Sequence, residues 1–373
     1  MTTRARPLVH SRVDGWLLGG VGVVAWLVVG PLAGARLGAI SGWVTWAFLV
    51  VSAMHFGASY HLAYAGGRRA LREHPWALVI APIVLLGAAA AVTAVAAAGS
   101  ARAAGPLLRF LLVTVFTLTG WHYIKQAYGV AMLSVRSRRL PMRRTEALAL
   151  RYSLYPVWAY EVLNVYGRSS TARYLRFDVS VAVVPQSVQR VIEAAALAAA
   201  AVASVLVIRL AVRLRGVPPA GLWATYLAAV LWFVAPPSYV SAGLVLGGIH
   251  GLQYLPCAHR AELDRAVEQG ERHLTTWWLC VFGGAVAGGL LVTSSLPSAL
   301  ERARLVPTMP ALFAALIFVV INLHHYAIDA TIWRAGGEHV RRIAHGPDLG
   351  ERPAGGHQSE GSSIDPVAAA SFA

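Results

Sequence analysis

The chain has 373 residues, of which 57% are hydrophobic and only 13% are charged, and its mean hydropathy is +0.57. Soluble globular domains carry about 25% charged residues, so this composition excludes an ordinary soluble domain and predicts a polytopic membrane protein. The formal net charge of +15 does not indicate a nucleic-acid partner, because the basic residues stand between apolar runs, as in the cytoplasmic loops of membrane proteins.

The apolar runs predict an all-α fold, a transmembrane bundle of about ten spans. Each run has about the twenty residues that are needed to cross some 30 Å of hydrocarbon. The first run is longer than the apolar core of a signal peptide, so we expect it to be retained as a helix. The ten windows are roughly 15–34, 39–64, 76–99, 107–131, 147–166, 191–212, 220–235, 238–256, 274–294 and 309–331.

The arginines predict the orientation of the bundle. With the N-terminus inside, the loops assigned to the cytoplasm carry clusters such as Arg68, Arg69 and Arg72, and the outer loops carry fewer arginines. The positive-inside rule therefore predicts that both termini are cytoplasmic and that the protein is a multi-pass protein of the cell (inner) membrane. Residues 1–345 are predicted to form a single transmembrane domain, and 346–373, rich in Gly, Ser and Pro, a disordered cytoplasmic tail.

Histidines inside the spans are the main functional signal, because ionisable groups at the bilayer centre cost about 2.5–3.5 kcal/mol on insertion scales. They fall in the second, fourth, eighth and tenth spans, which all run in the same predicted direction. His55, His122, His250 and His324 each lie 12–16 residues beyond the start of their span, or about 18–24 Å along the helix axis. Four imidazoles at a common depth are expected to meet.

Neutral imidazole is a good ligand for iron, copper and zinc. We therefore predict a transition-metal site with iron as its metal, and haem as the alternative cofactor. The tenth span ends "INLHHYAIDATIWR", so that either His324 or His325 can be the fourth ligand, since the two side chains point about 100° apart on a helix. The predicted metal ligands are His55, His122, His250, His324 and His325.

Polar residues near these histidines complete the predicted site. Four of them follow a histidine by four residues, on the same helix face, where they can orient the imidazole ring. Asp329 is predicted to orient a ring or to act as a general base, and Tyr254 and Lys125 are the other predicted catalytic residues. The residues predicted to support the ligands or to contact a substrate are His61, Gln126, Ser59, Glu161 and Gln253.

Lys125 is distinctive because the chain has 32 lysines and arginines, of which this is the single lysine. It lies three residues after His122, inside the fourth span. A lysine where arginine is otherwise used throughout indicates a compact point charge with a role in the site. The alternative is a cation that extends its side chain to the membrane interface.

The motif "HFG" at 55–57, the histidines on separate spans and the late histidine pair resemble the Brp/Blh-type bacterial carotenoid dioxygenases. The resemblance covers about four short stretches, and Ala58, Ser59 and Tyr60 stand where that family is expected to carry an acidic residue. It implies a multi-helix bundle with one iron that acts on a lipophilic substrate and dioxygen. Only His55 is matched as a ligand by motif. An electron donor is a possible further partner.

Two other classes of function remain open from the sequence. The spacing "HGLQY" at 250–254 together with the later histidine pair is similar to the copper site of haem–copper oxidases. A proton-coupled transporter is the other class, in which the histidines, Lys125, Glu161 and Asp329 would relay protons, although no repeat of two halves is visible. The histidine boxes of membrane desaturases are also comparable, but "HFGASYH" does not have their spacing.

Overall fold

The computed structural model describes residues 8–32, 37–164, 173–179, 183–235, 242–334 and 336–345. The predicted tail at 346–373 therefore lies outside the described residues. The described part is mostly helical and has one short antiparallel hairpin, β1 (Arg173–Tyr174) and β2 (Phe177–Asp178). The helices are α1 (Ser11–Gly15, then a π-helical turn Trp16–Gly20 and Val21–Leu32), α2 (Leu37–Tyr64), α3 (Arg68–Glu73), α4 (a π-helical turn Trp76–Ile80, then Ala81–Ala97), α5 (Ala101–Ser137), α6 (Arg144–Val162), α7 (Gln186–Leu214), α8 (Ala220–Val234), α9 (Ala242–Glu268), α10 (Leu274–Leu290, then a π-helical turn Leu291–Ser295 and Leu296–Arg302), α11 (Leu312–Ile332) and α12 (Glu338–His345).

The described residues of each predicted window lie mainly on one of these helices, which confirms a helical bundle. Among the described residues, five helices, α4, α5, α7, α10 and α11, are long and apolar enough to cross a membrane. In the most apolar stretch of α11, 56% of the residues are buried, against 11% in α4 and in α7. Helix α11 is therefore central, and α4 and α7 present apolar faces outward. The number of ten spans and the side of each terminus stay predictions.

The four helices that carry the predicted histidine ligands run in the same direction. In each packed pair there are two contacts, and the one that lies further along the first helix also lies further along the second, as in parallel helices. For α2 and α11 the contacts are His55 to His325 and, further along, Ser59 to Asp329. For α2 and α9 they are Ser59 to Tyr254 and, further along, His61 to Glu262. For α5 and α11 they are Thr119 to Tyr326 and, further along, His122 to Asp329. This agreement in direction is what the loop charges predict.

Helix α2 is pressed directly against α10. A Cβ atom on Gly57 would overlap the backbone of Ala285, and a Cβ on Gly289 would overlap the backbone of Ala53. Small residues at such positions let two helix backbones touch, which is how many membrane helices associate. This contact fixes the rotation of α2, so that His55, two residues before Gly57, is directed away from α10 and into the bundle.

Candidate metal centre

Four histidines from four helices meet in the interior of the bundle. His55 on α2, His122 on α5, His250 on α9 and His325 on α11 each offer a ring nitrogen, and these nitrogens all lie within 4.8 Å of one another. All four side chains are buried, with exposed fractions of 2%, 8%, 5% and 1% respectively. The prediction that histidines on these four spans converge is confirmed.

The Nε2 atoms face each other in two close pairs. His55 Nε2 lies 2.9 Å from His325 Nε2, and His122 Nε2 lies 3.1 Å from His250 Nε2. Two nitrogens that each bind one ion at about 2.1 Å are about 3.0 Å apart at a right angle and about 3.4 Å apart in a tetrahedron. Each of these two distances is therefore in the range expected for two imidazoles that bind the same transition-metal ion.

The structure places His325 in this cluster and His324 outside it. The His324 Nε2 lies 3.0 Å from the carbonyl oxygen of Ala77, a group that can only accept. Nε2 therefore carries the proton, and Nδ1 accepts from the hydroxyl of Tyr60 at 2.8 Å. His324 thus holds α11 against α2 and α4, and both of its nitrogens are already engaged.

Asp329 lies beside the cluster, one turn beyond His325. Its Oδ2 is 3.5 Å from His325 Nε2 and 3.6 Å from His122 Nε2. Its Oδ1 is 2.7 Å from the hydroxyl of Ser59, which is also 2.7 Å from the hydroxyl of Tyr254. Since Ser59 has one hydroxyl proton, it donates to the carboxylate and accepts from Tyr254. The carboxylate is therefore held in place with one oxygen directed at the Nε2 atoms.

Aromatic rings enclose the four imidazoles. Tyr326 stacks on His122 with ring centroids 4.5 Å apart, Tyr123 stacks on His250 at 4.1 Å, and Tyr254 meets the face or edge of His55 at 4.3 Å. Sequence reasoning did not single out Tyr123 and Tyr326. Each is the residue next to a histidine, but tyrosines are frequent enough in this chain that adjacency alone gave no signal.

Three of the four outward nitrogens of the cluster are not held by hydrogen bonds to described residues. The Nδ1 atoms of His55, His250 and His325 are buried and have no partner in the part of the chain that the structure describes. The residues four positions after these histidines bond elsewhere; Gln126, which follows His122, donates to the backbone carbonyl of His250 at 2.8 Å. Packing of the aromatic rings therefore surrounds these imidazoles on their outer side, and among the polar neighbours expected from the sequence Asp329 faces the inner nitrogens of His325 and His122.

The remaining predicted residues lie around the centre. His61 contacts Glu262 at 3.2 Å, with Arg265 alongside, on the far side of Ser59 from the cluster. Glu161 on α6 packs against Gly120, and its Oε2 is buried without a partner among the described residues. Gln253 is buried and lines a small cavity together with His250.

An elongated cavity of about 170 Å³ reaches the cluster from one side. It lies between α5 and α11, with α9 behind it, and His122 and Asp329 form part of its wall. Lys125 also lines it, with its ammonium group 5.8 Å from the centroid of the Trp121 ring. The cavity gives a small or narrow molecule a route to the side of the cluster where Asp329 lies.

Comparison of the chain with protein families, with curated proteins and with solved structures finds no match. The geometry of the centre is therefore the basis on which the function of this chain is inferred. The resemblance to carotenoid dioxygenases stays a prediction.

Proposed function

We propose that this protein is a membrane-embedded, metal-dependent oxidoreductase that acts on a lipophilic substrate, with one transition-metal ion bound by His55, His122, His250 and His325. The observation that carries the proposal is the convergence of four buried imidazoles, each with a ring nitrogen within 4.8 Å of the others. The bilayer, a lipophilic small molecule, dioxygen and an electron donor are the proposed partners.

A metal explains the cluster better than packing does. A buried polar atom without a partner costs about 1–3 kcal/mol, and three Nδ1 atoms of the cluster are in that position. When Nε2 binds a metal, Nδ1 carries the ring proton, and the four coordinate bonds supply free energy that offsets this cost. Two hydrogen-bonded histidine pairs without a metal would leave the same Nδ1 atoms unsatisfied and gain only two hydrogen bonds.

Iron is the metal that we propose, as a bare ion. An all-imidazole donor set with one adjacent carboxylate suits iron, copper or zinc better than magnesium or calcium, and of these iron and copper support redox chemistry. One ring nitrogen of each histidine lies within 4.8 Å of the others, and Tyr123, Tyr254 and Tyr326 pack directly against the imidazole rings. This close packing favours an ion over the flat ring of a haem.

The residues of the chain have separate tasks in this proposal. A bound ion would supply Lewis acidity and a site for dioxygen at a position that the four histidines leave open. Asp329 holds or accepts a proton at Oδ2, because Ser59 and Tyr254 fix its other oxygen. The surrounding apolar helices exclude water, and the cavity beside His122 and Asp329 admits the substrate.

Metal analysis of the purified protein tests the proposal. We expect about one iron per chain after expression with added iron, and an absorption spectrum without a Soret band. His122→Ala and His250→Ala should each lose the metal, since a vacated position breaks a four-ligand set. His74→Ala, outside the cluster, is the control and should retain it. Substoichiometric metal in the wild-type protein, or full metal in both cluster variants, would contradict the proposal, and a Soret band would replace the bare ion by haem.

A further inference from the structure

The cavity beside the metal centre is a groove along one face of α5. Its lining residues on that helix recur at intervals of three and four positions, which places them on one stripe. From Leu118 to Leu133 the stripe is about 22 Å long at 1.5 Å per residue. The lining residues of α5 are Leu118, Trp121, His122, Lys125, Gln126, Gly129, Val130 and Leu133.

The groove is apolar along most of its length and open at its side. Leu118 is 38% exposed and Ala330 of α11 is exposed, so two lining residues are also part of the outer surface of the bundle. In a membrane this surface faces acyl chains. A long, narrow molecule can therefore enter sideways from the bilayer without crossing water.

One positively charged side chain lines the groove. Lys125 is the cationic residue among those that line it, three residues, or about 4.5 Å of helix rise, beyond His122. The carboxylate of Asp329 also lines the groove, but its Oδ1 accepts from Ser59 and its Oδ2 faces the Nε2 atoms of the cluster. A negatively charged head group is thus attracted by Lys125 on the side away from Asp329.

We propose that the groove binds a long-chain carboxylate, whose carboxylate group pairs with Lys125 and whose chain lies along α5 past His122. This inference rests on the proposed function for its chemistry, because it names the substrate class of that centre. The carbons nearest the head group then lie beside His122 and Asp329. A neutral hydrocarbon gains nothing from Lys125, and the single charge of this partly buried cation matches one carboxylate better than a phosphate of higher charge.

Binding of palmitate to the full-length protein in a nonionic, sugar-headed detergent tests the proposal. Lys125→Met removes the charge at similar length, and Lys125→Arg restores it. We expect palmitate to bind Lys125→Met about tenfold more weakly than wild type and Lys125→Arg within about threefold of it, since a hydrogen bond to a charged group contributes that much. Methyl palmitate should bind all three proteins equally weakly. Equal affinity of wild type and Lys125→Met for palmitate overturns the proposal.

A second measurement uses the fact that Lys125 is the single lysine. Reductive methylation, read by peptide mass spectrometry, should modify Lys125 in the wild-type protein, and palmitate should protect it, with methylation of the N-terminal amine as the internal reference. Stronger protection by a lysophosphatidate than by palmitate assigns the groove to a phosphate head group and overturns the proposal, as does the absence of any protection.

Filling the groove gives an independent check. Leu118→Trp should abolish palmitate protection of Lys125, whereas Phe110→Trp, at an exposed position of the same helix outside the groove, should not. Metal content is measured on the same samples. If the wild-type protein contains no metal but still binds palmitate more tightly than Lys125→Met does, only the proposed function is overturned. If the protein contains its metal but binds palmitate no more tightly than Lys125→Met does, only the carboxylate site is overturned.

Discussion

His55 and His325 are 270 positions apart in the sequence, yet their Nε2 atoms lie 2.9 Å apart in the interior of the bundle. Their other ring nitrogens have no partner among the described residues. Each ring can therefore satisfy only its inward nitrogen, and it does so through a shared proton or through a shared ion. The proposed metal site depends on this pair.

Replacement of neighbouring histidines should have opposite effects on metal binding. His325→Ala removes an Nε2 from the cluster and should abolish stoichiometric metal, whereas His324→Ala breaks the contacts to Tyr60 and Ala77 and should leave the metal in place. Elemental analysis of both purified variants checks this. His324→Ala should instead unfold at a lower temperature, because it leaves the Tyr60 hydroxyl without its acceptor. Metal loss in His324→Ala with retention in His325→Ala would show that the assignment is reversed.

Ser59 should be more important for stability than its size suggests. Ser59→Ala leaves both the Tyr254 hydroxyl and the Asp329 carboxylate without their buried partner, which we expect to cost about 1–3 kcal/mol in unfolding free energy. Tyr254→Phe leaves the bond from Ser59 to Asp329 intact and should cost about 0.5–1.5 kcal/mol. Thermal unfolding in one detergent, at equal metal loading, compares the two variants. A larger loss in Tyr254→Phe would mean that Ser59 does not connect the two groups.

The spacing of the histidines along the predicted spans was sufficient to find the centre, because depth in a membrane helix can be read from sequence at 1.5 Å per residue. It could not choose between His324 and His325. The two side chains differ by about 100° of helix rotation, and that rotation is set by contacts with other helices, such as the bond from His324 to Ala77 on α4.

The surroundings of the centre were beyond sequence reasoning for a related reason. Period and spacing show which residues share a face of one helix, so Asp329 was expected beside His325, where it lies. They do not show which faces of different helices meet. The stacking of Tyr123 on His250 and the approach of Glu161 to Gly120 depend on such pairings, and the metal and substrate remain predictions because residue chemistry alone does not name them.

The contact between α2 and α10 predicts opposite effects for two glycines of the same helix. Gly289→Ala places a Cβ against the backbone of Ala53, and overpacking of this kind costs about 1–3 kcal/mol. Gly284→Ala meets no atom within 4 Å and should stabilise the helix by about 0.4–1 kcal/mol. Thermal unfolding of the two variants should show a lower midpoint for the first and an unchanged or higher midpoint for the second. Equal midpoints would mean that the helices are not in backbone contact.

Acid should weaken the packing of α12. Burial of the imidazole lowers the pKa of His339 to about 4, from about 6.5 in an unfolded chain. Between pH 6.5 and pH 4 the unfolded state therefore binds a proton that the folded state does not, and stability falls as the pH falls through this window. Above pH 6.5 the effect is absent.

The change that checks this is His339→Gln, which cannot titrate. The groups near His339 are Arg342, Glu338, Glu262 and Arg265, and they remain in both proteins. The thermal midpoint of the wild-type protein should decline more steeply from pH 6.5 to pH 4 than that of the variant, by an amount on the order of 1 kcal/mol. Parallel declines would assign the acid sensitivity to other groups.

Removal of the metal should destabilise the folded protein, because an ion that binds only the folded state contributes RT ln(1 + [L]/Kd), or about 2.7 kcal/mol at a free concentration one hundred times Kd. A chelator should therefore lower the thermal midpoint of the wild-type protein and leave that of a His122→Ala/His250→Ala double variant unchanged. Added ferrous ion should restore the wild-type midpoint, whereas Mg²⁺ should not, since it prefers oxygen ligands. If the chelator shifts both proteins equally, the metal that it removes is bound elsewhere, and the four imidazoles are then two hydrogen-bonded pairs.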